Sequence, residues 1–594
     1  MRESLHAYRV LMALTFRAAP LHATFQLVTG VLMALTFPVA AYGGKLLVDA
    51  AVAGDLGGGL VAAVVASVAV AAMLIVVFYY VDCVFAVYER AGGLVSERLM
   101  RLMGGTDGLA HHERPDYLDR AHLIRERRQD LAAAVNSTAG VVRALVTLTA
   151  STLLLARVHP ALLLLPAVAA VSVVLGKRAR DAEEKAEERT AETERLRRHL
   201  FDVATSAEAG KEVRVFGLDT ALRQRHHQVS GTVLAVRNRA TWKAAGLQCL
   251  DGVISGVAYA AAVAGVLLLA VDGAATPGDV VLVVGLASQL NTTVLAGVLY
   301  FMQFLRVLTM ARRFVWLERY ARDARRVPAA PATVPARLRD GIAVQDVSFA
   351  YPDSARPVLD GVSLHLPAGS VVALVGENGA GKTTLIKLLC GFYLPDRGRI
   401  LVDGVDLADV PGDAWRARVS AAFQDYAHLE FLVRESVGVA DLPRLEDRAA
   451  VSAALARADA TSVVDDLPHG LETQLGTAWE GGVDLSGGQW QRLALARGLM
   501  RDDPLLVVFD EPTAALDPQT EHALFERFAA AARSGSHHGQ ITLLVSHRFS
   551  TVRMADLIVV LDGGRVREMG SHEQLMSAGG LYAELYDLQS RAYR

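Results

Sequence analysis

Six long apolar segments constrain the fold of this chain more than any other feature. They cover about residues 21–43, 58–86, 134–156, 160–177, 247–271 and 278–306. Each is near or above the roughly 18 to 20 residues that a helix needs to cross a bilayer. One such segment could be a buried core helix, but six in one half of a chain predict an all-α membrane domain. We expect this domain to occupy residues 1–320 and to begin with an amphipathic helix, residues 1–17, on the membrane surface.

The composition is typical of a membrane protein with more than one domain. The chain has 594 residues, which is too long for a single core. Hydrophobic residues make up 52% and charged residues only 21%, which disfavours an ordinary soluble enzyme. The three cysteines, Cys83, Cys249 and Cys390, show neither metal-type spacing nor a disulfide framework, which favours a reducing compartment. The net charge of −3 favours no class of charged partner, and no nucleic-acid partner is expected.

Basic residues are distributed unevenly between the loops. The short loops contain one basic residue, Arg157, whereas the long loops at residues 89–136 and 177–246 contain many. Because cytoplasmic loops are enriched in Lys and Arg, the long loops and both termini are expected in the cytoplasm. The chain is therefore predicted to be a multi-pass protein of the plasma (inner) membrane, with the lipid bilayer as a partner.

Polar residues are rare inside the apolar segments, where lipid penalises them. Asp251, Ser255 and Tyr259 recur every four residues and therefore share one helical face. We expect this face to line a pathway, although hydrogen bonding between helices is the alternative for each residue. The further candidates are Asp82, Arg143, Gln289, Asn291, Thr292, Thr293 and Gln303.

A phosphate-binding loop is predicted in the second half of the chain. An apolar run at residues 371–375 precedes the loop, and a helix-like segment follows it from Thr384. The loop itself comprises Gly376, Glu377, Asn378, Gly379, Ala380, Gly381, Lys382 and Thr383. Its glycines let backbone N–H groups and a helix N-terminus point at phosphate oxygens. Lys382 would contact the β- and γ-phosphates of ATP, and the Thr383 hydroxyl would bind Mg²⁺.

Two acidic residues follow another predicted strand of the same domain. The apolar run at residues 505–509 ends in Asp510 and Glu511. Asp510 is expected to hold Mg²⁺, and Glu511 is expected to act as the general base towards water. Alternating apolar runs and helical segments predict an α/β P-loop domain with a largely parallel sheet over residues 341–594. The proline-rich residues 321–340 are expected to be an interdomain linker.

The pentapeptide between these motifs adds a family resemblance. Leu485, Ser486, Gly487, Gly488 and Gln489 match the signature motif of the ATP-binding cassette (ABC) family in full, and the motif order agrees. The whole chain resembles a half-transporter of the type IV exporter fold, with six spans followed by one cassette. The resemblance implies ATP hydrolysis coupled to transport.

The resemblance also implies roles for single residues. Tyr351 matches the aromatic residue that stacks on adenine, and Gln424 matches the glutamine that contacts Mg²⁺. Asp517 matches the D-loop aspartate, and His547 matches the histidine that senses the γ-phosphate. Thr384 extends the phosphate-binding motif. With Glu511, the resemblance makes Gln424 and His547 part of the catalytic group.

In the family, the signature motif contacts the nucleotide of the opposite cassette, so one chain cannot build a complete site. The simplest expectation is a homodimer with two active sites, because the main motif residues are all present: Lys382, Gln424, Ser486, Glu511 and His547. A heterodimer with a similar partner stays open. Residues 113–125 and 210–218 are the candidates for the short helices that dock on the cassettes.

Two segments of the sequence suggest a class of cargo. The run at residues 485–492, which contains Gln489-Trp490-Gln491, resembles the cassettes of lantibiotic and other peptide natural-product exporters, and residues 211–218 suggest the same subgroup. We therefore expect export of a peptide or a hydrophobic small molecule by alternating access. A lipid floppase or a multidrug exporter is the alternative, and an ATP-gated channel or an importer is less favoured.

Overall fold

The structure is a computed structural model that describes residues 2–207, 209–325, 328, 331–352, 354, 356–511, 539–546 and 549–592. It divides into two compact units. The helical unit comprises Met1–Met103 and His122–Glu318, and the cassette unit comprises Gly104–Ala121 and Arg319–Arg594. The segment Gly104–Ala121 thus lies in the first half of the sequence but belongs to the cassette unit.

The first half of the chain is helical. In chain order its helices are α1 (Arg2–Ala18), α2 (Pro20–Ala53), α3 (Leu56–Gly104), α4 (Ala110–Glu113), α5 (Pro115–Glu126), α6 (Arg128–Ala132), α7 (Ala134–Val158), α8 (Leu164–Thr205), α9 (Gly210–Val215), α10 (Asp219–Val271) and α11 (Pro277–Asp323). A 3₁₀ turn, Pro160–Leu163, precedes α8. Proline and glycine set several of these ends. Pro20 and Pro277 open their helices, and Gly54, with φ of 70°, ends α2 by donating its N–H to Ala50 and Ala51.

Six helices in the described residues are long and apolar enough to cross a membrane: α2, α3, α7, α8 with its preceding turn, α10 and α11. The predicted six-helix domain is thereby confirmed. With 53 residues, α10 is about 80 Å long at about 1.5 Å per residue, well beyond a bilayer core of about 30 Å. Large apolar side chains such as Phe78 and Leu164 are 72% and 68% exposed, as expected for residues that face lipid.

The elements of the cassette unit after the linker alternate between strands and helices. In chain order they are β1 (Gly341–Phe349), β2 (Leu359–Pro367), β3 (Val371–Val375), α12 (Lys382–Leu389), β4 (Arg397–Val402), β5 (Val405–Asp406), α13 (Gly412–Arg416), β6 (Val419–Ala422), α14 (Val433–Gly438), α15 (Arg448–Arg457), α16 (Thr461–Asp465), α17 (Gly487–Gly498), β7 (Leu506–Asp510), β8 (Ile541–Val545), α18 (Phe549–Val552), β9 (Leu557–Asp562), β10 (Arg565–Gly570), α19 (His572–Ala578) and α20 (Leu581–Ala592).

These strands form two sheets in the part of the chain that the structure describes. The larger sheet has the order β10-β9-β3-β8-β7-β6, with parallel pairing throughout except at β10. Its central strands β3, β7 and β8 are buried along their whole length, which explains their unbroken apolar sequences. The predicted parallel sheet is therefore confirmed. The smaller antiparallel sheet, β2-β1-β4-β5, was not predicted from the sequence.

Candidate nucleotide-binding site

The phosphate-binding loop connects the buried strand β3 to helix α12. Gly376 has a φ of 156° and Gly381 has a φ of 103°. Residues other than glycine rarely adopt these backbone conformations. A Cβ atom at Gly376 would collide with the backbone oxygen of Leu561, and one at Gly381 would lie 2.6 Å from a Leu359 methyl group. The path of the loop therefore requires glycine at both ends.

The N-terminus of α12 faces this loop. No side chain caps it, so the N–H groups of its first turn have no capping partner, and the helix dipole favours an anion there. Thr383 is exposed, whereas Thr384 is buried with its hydroxyl 3.0 Å from the Tyr351 hydroxyl. The uncapped helix N-terminus and the hydroxyl of the exposed Thr383 fit a phosphate chain with an attached cation.

Lys382 is buried inside the loop. Its Nζ donates hydrogen bonds to the carbonyl oxygens of Gly376 at 2.7 Å and Glu377 at 3.0 Å. Burial lowers the pKa of Lys382, although the nearby carboxylates of Glu511 and Asp510 oppose the shift. A cation that is held mainly by backbone carbonyls, with two acids nearby, is suited to contact a polyanion.

The two acidic residues lie where β7 ends. Asp510 is the last residue of β7 and is only 4% exposed. Glu511 has φ of 47°, a left-handed conformation that is uncommon for glutamate, and its N–H donates to the Val545 carbonyl on β8 at 3.0 Å. This left-handed conformation ends the extended backbone of β7 at Asp510, directly before Glu511.

Gln424 contacts the second of these acids. Gln424 lies just beyond the end of β6, which pairs with β7 in parallel. Its Nε2 donates to Glu511 Oε2 at 3.1 Å. Because the carboxyl ends of parallel neighbours meet at one edge, residues that are 87 positions apart share a hydrogen bond. Thr383, Gln424 and Asp510, the residues predicted to hold Mg²⁺, carry oxygen donors of the kind that Mg²⁺ prefers.

Tyr351 lies beside α12 in a cluster of aromatic rings. Its ring meets Phe349 and Tyr393 edge to face, with centroid distances of 5.2 and 5.7 Å. The Lys387 ammonium lies 5.0 Å from the Tyr351 ring centroid, within the range of a cation–π contact. The sequence interpretation missed Lys387 and Tyr393, because no motif marks either residue.

Lys387 also connects this cluster to the segment Gly104–Ala121. Its Nζ pairs with Glu113 Oε1 at 3.2 Å, and Asp107 of the same segment pairs with Arg416 at 2.9 Å. Burial alone would lower the pKa of Lys387, but the hydrogen bond to Glu113 and the electrostatic interaction with Tyr351 outweigh burial and raise the pKa. The short helix α4 therefore docks next to the predicted adenine contact.

The signature residues form the beginning of α17. Ser486 is the N-cap of this helix and forms a reciprocal capping box with Gln489, whose side chain accepts from the Ser486 N–H at 2.8 Å. The Gly487 carbonyl accepts a hydrogen bond from the Tyr426 hydroxyl at 3.1 Å, while Leu485 is buried. Gly488 lies in the first turn of α17.

The structure does not bring all the predicted residues together. In the described part of the chain, no hydrogen bond or ion pair joins residues 485–489 to residues 376–384. Asp517 and His547, which were predicted to contact nucleotide, lie outside the described residues. In the helical unit, the Asp251 face packs on α8, since Ser255 Oγ lies 3.5 Å from Ser172 Oγ.

Comparisons with known proteins agree with this geometry. The family model described as "ABC transporter" matches residues 359–514. An "ATP-dependent lipid A-core flippase" of Aromatoleum aromaticum is 43% identical over 255 residues, 43% of this chain and 41% of the relative. The protein of the same name from Cupriavidus pinatubonensis is 42% identical over 254 residues, 43% of this chain and 42% of the relative. The match thus spans about two fifths of the length of these relatives.

A solved structure extends the likeness to the whole chain. The "Structure of a bacterial Atm1-family ABC exporter with ATP bound" superposes with a TM-score of 0.71 at 26% sequence identity. The superposition covers 97% of this chain and 98% of the other. Residues 359–514 therefore match the ABC transporter family, and the chain as a whole has the fold of an Atm1-family ABC exporter, in which six helices of membrane length precede the cassette.

Proposed function

We propose that the protein uses ATP hydrolysis to export an amphiphilic cargo across the plasma membrane. One observation carries this proposal: the same chain contains an intact phosphate-binding site and six helices of membrane length, in an exporter fold that superposes over 97% of its length. A cassette alone is compatible with many ATP-driven functions. Because the same chain has six apolar helices of membrane length, we favour a function at a membrane.

The described residues divide the chemistry of hydrolysis between them. Lys382 and the N-terminus of α12 bind and orient the phosphates of ATP. Glu511 accepts the proton of the attacking water, and Gln424 holds one oxygen of that carboxylate through its hydrogen bond at 3.1 Å. Thr383, Gln424 and Asp510 would hold Mg²⁺, which when bound neutralises phosphate charge. His547 and Asp517 would complete the γ-phosphate environment.

The complete site needs a second chain under this proposal. Residues 485–489 have no hydrogen bond to the phosphate-binding loop of their own chain in the described residues, while their helix N-terminus is exposed at Ser486 and Gly487. Two cassettes arranged head to tail would bring the signature of one chain to the nucleotide of the other. Since all the predicted motifs are intact, we propose a homodimer with two active sites.

Alternating access connects the cassettes to the cargo. With ATP bound the cassettes close and the bundle opens outward, and hydrolysis reverses both changes. The basic residues of the long loops support a cytoplasmic location for the termini and the cassette. Within the cassette unit, the Glu113 to Lys387 pair at 3.2 Å supports docking of α4 as one mechanical connection.

Among the cargos open from the sequence, a lipid-like molecule is favoured over a peptide. Two relatives that are 43% and 42% identical over the matched part carry the name lipid A-core flippase. The peptide alternative rests on residues 485–492 at the start of α17 and on residues 211–218, and none of these residues lines the cavity described below.

The test is ATPase activity of the purified protein in lipid nanodiscs, with lipids, peptides and hydrophobic drugs added in turn. We expect saturable stimulation by a lipid, and movement of a fluorescent lipid to the outer leaflet of proteoliposomes that stops in Glu511→Gln. Stimulation by peptides alone would favour the peptide exporter. An absence of ATP hydrolysis under all conditions would contradict the proposed function.

A further inference from the structure

A cavity of about 400 Å³ lies within the helical unit, between α2, α3, α7 and α11. Its two sides differ in chemistry. The side formed by α2 and α3 is mainly apolar and includes Met33, Phe37 and Met73. The side formed by α7 and α11 is polar and includes Arg143 and Gln289. The cavity therefore matches a molecule that is itself apolar on one side and polar on the other.

Arg143 is the charged residue in the wall of this cavity. It lies near the middle of α7, inside an apolar segment where arginine is unfavourable. Its Nη2 donates to the Tyr300 hydroxyl at 2.9 Å, and its guanidinium carbon lies 5.2 Å from the Tyr300 ring centroid and 5.3 Å from that of Tyr80. Among the described residues, no carboxylate forms an ion pair with Arg143. The contacts hold the guanidinium but leave its charge uncompensated.

The two tyrosine rings that hold Arg143 are themselves fixed. Tyr80 is 6% exposed, and its hydroxyl donates to Asn136 Oδ1 at 3.2 Å. Tyr300 packs directly on Gly140, where a Cβ atom would collide with its ring. The guanidinium is consequently held in place before any ligand arrives, which lowers the entropy lost on binding.

We propose that this cavity binds the anionic group of an amphiphilic molecule, with Arg143 as its counter-ion and the α2 and α3 side chains against its apolar part. The chemistry that Arg143 recognises is a phosphate-type or carboxylate anion, for which the planar guanidinium offers paired donors. Gln289, whose side chain is exposed, adds an amide to the polar wall. This proposal deepens the proposed function. Only the statement that the bound molecule is cargo rests on that function.

The test measures binding without nucleotide, so that it does not depend on ATP hydrolysis. Radiolabelled phosphatidic acid is titrated onto the full-length protein in nanodiscs of neutral phosphatidylcholine. We expect saturable binding that Arg143→Gln weakens at least tenfold. The matched control is Arg157→Gln, since Arg157 is an exposed arginine at the end of the same helix and does not line the cavity. The control should bind within twofold of the wild type.

Competition in the wild type separates the possible sources of the anion. Unlabelled phosphatidic acid should displace the label, whereas diacylglycerol with the same chains and inorganic phosphate should not. Equal displacement by diacylglycerol, or full displacement by inorganic phosphate, would overturn the proposal, because the site would then need no anion or no apolar part. Unchanged affinity in Arg143→Gln would overturn it as well. The competition arm needs no variant and therefore decides the matter even if Arg143→Gln does not fold.

Failure of the proposed transport function and failure of the proposed anion site give different results in these experiments. If the wild type binds phosphatidic acid as expected but neither hydrolyses ATP nor moves lipid, the proposed function fails while the anion site stands. If the wild type hydrolyses ATP but binds phosphatidic acid no better than diacylglycerol, the anion site fails alone.

Discussion

The cassette unit and the helical unit assemble their candidate sites in different ways. In the cassette unit, contiguous motifs at strand ends supply the groups, and much of the phosphate contact comes from backbone N–H groups of one loop. In the helical unit, the cavity wall combines side chains from four helices, such as Tyr80, Arg143 and Tyr300. A site of the first kind is visible in a short stretch of sequence, whereas a site of the second kind exists only after the helices have packed.

The difference also holds within the cassette unit. Lys382 and Gly376 are six residues apart and act within one loop. Lys387 and Glu113 are 274 residues apart, yet they form an ion pair next to Tyr351. Substitutions within the local motifs should therefore reduce ATP binding or hydrolysis most. Substitutions in pairs that are distant in the sequence should reduce them less. The following predictions test this order.

The largest effect is expected from Glu511→Gln. The amide cannot accept a proton from water, and a general base contributes about 10²- to 10⁴-fold to a rate. The kcat for ATP should fall at least 100-fold while ATP binding is retained, as measured by phosphate release and nucleotide binding on the full-length protein. Glu584→Gln, at an exposed position of α20, is the matched control and should hydrolyse ATP within twofold of the wild type. Near-normal kcat in Glu511→Gln would remove Glu511 as the base.

Lys382→Ala should have the next largest effect, because it removes the cation buried in the phosphate-binding loop. We expect at least a tenfold loss of ATP affinity, as charged hydrogen bonds contribute about 1.5–3 kcal/mol. Binding of a fluorescent ATP analogue would measure this loss, with Lys185→Ala, at an exposed lysine of α8, as the control. Equal affinity in Lys382→Ala and wild type would contradict the phosphate contact.

A smaller, coupled effect is expected for Lys387 and Glu113. Their side chains are 26% and 30% exposed, so the ion pair is partly screened, and its coupling energy should be about 0.3–1 kcal/mol. Lys387→Ala should raise the KM for ATP a few-fold, because Lys387 also holds the Tyr351 ring. A double-mutant cycle with Glu113→Ala on KM measures the coupling. Strictly additive effects would show that α4 and the predicted adenine contact are independent.

The smallest effect concerns Cys390, a buried residue next to α12. Burial raises the pKa of this thiol to about 12. Since the thiolate is the reactive form, only about one in ten thousand of the thiols is ionised at pH 8. A variant that retains Cys390 alone, with Cys83→Ser and Cys249→Ser, should resist iodoacetamide when folded and react when denatured. Rapid alkylation of the folded protein would show that this part of the cassette opens to solvent.

The sequence predicted the parts of the fold that follow from local patterns. The apolar segments predicted the six long helices, and the buried strand patterns predicted the parallel sheet. The antiparallel sheet was missed, since β1 and β4 pair across about 50 residues and neither carries a turn signal that specifies the other. In the cassette, the glycines and Lys382 were recognised from spacing. The hydrogen bond between Gln424 and Glu511 depends on the order β6-β7-β8, which no motif encodes.

In the membrane segments, the sequence could name polar residues but not their neighbours. Asp251, Ser255 and Tyr259 share a face, and the expectation that this face lines a pathway stays a prediction. Only the structure shows that Ser255 lies next to Ser172 of α8. Arg143, Gln289, Thr292 and Thr293 were only further candidates, and these residues line the cavity. Helical periodicity gives the face on which a residue lies, but the direction of that face depends on how the helices pack.

By itself, the sequence determined that this protein has six membrane-length helices and a cassette with a phosphate-binding loop, because length, hydropathy and glycine spacing act within short segments. Only the tertiary structure decided which side chains meet. It placed Arg143 between the rings of Tyr80 and Tyr300, beside an apolar wall. It also brought Gln424 into a hydrogen bond with Glu511, and Lys387 into contact with both Tyr351 and Glu113. The physical reason is that contacts between distant residues depend on strand order and helix rotation, which arise from the packing of the whole unit and not from any local pattern.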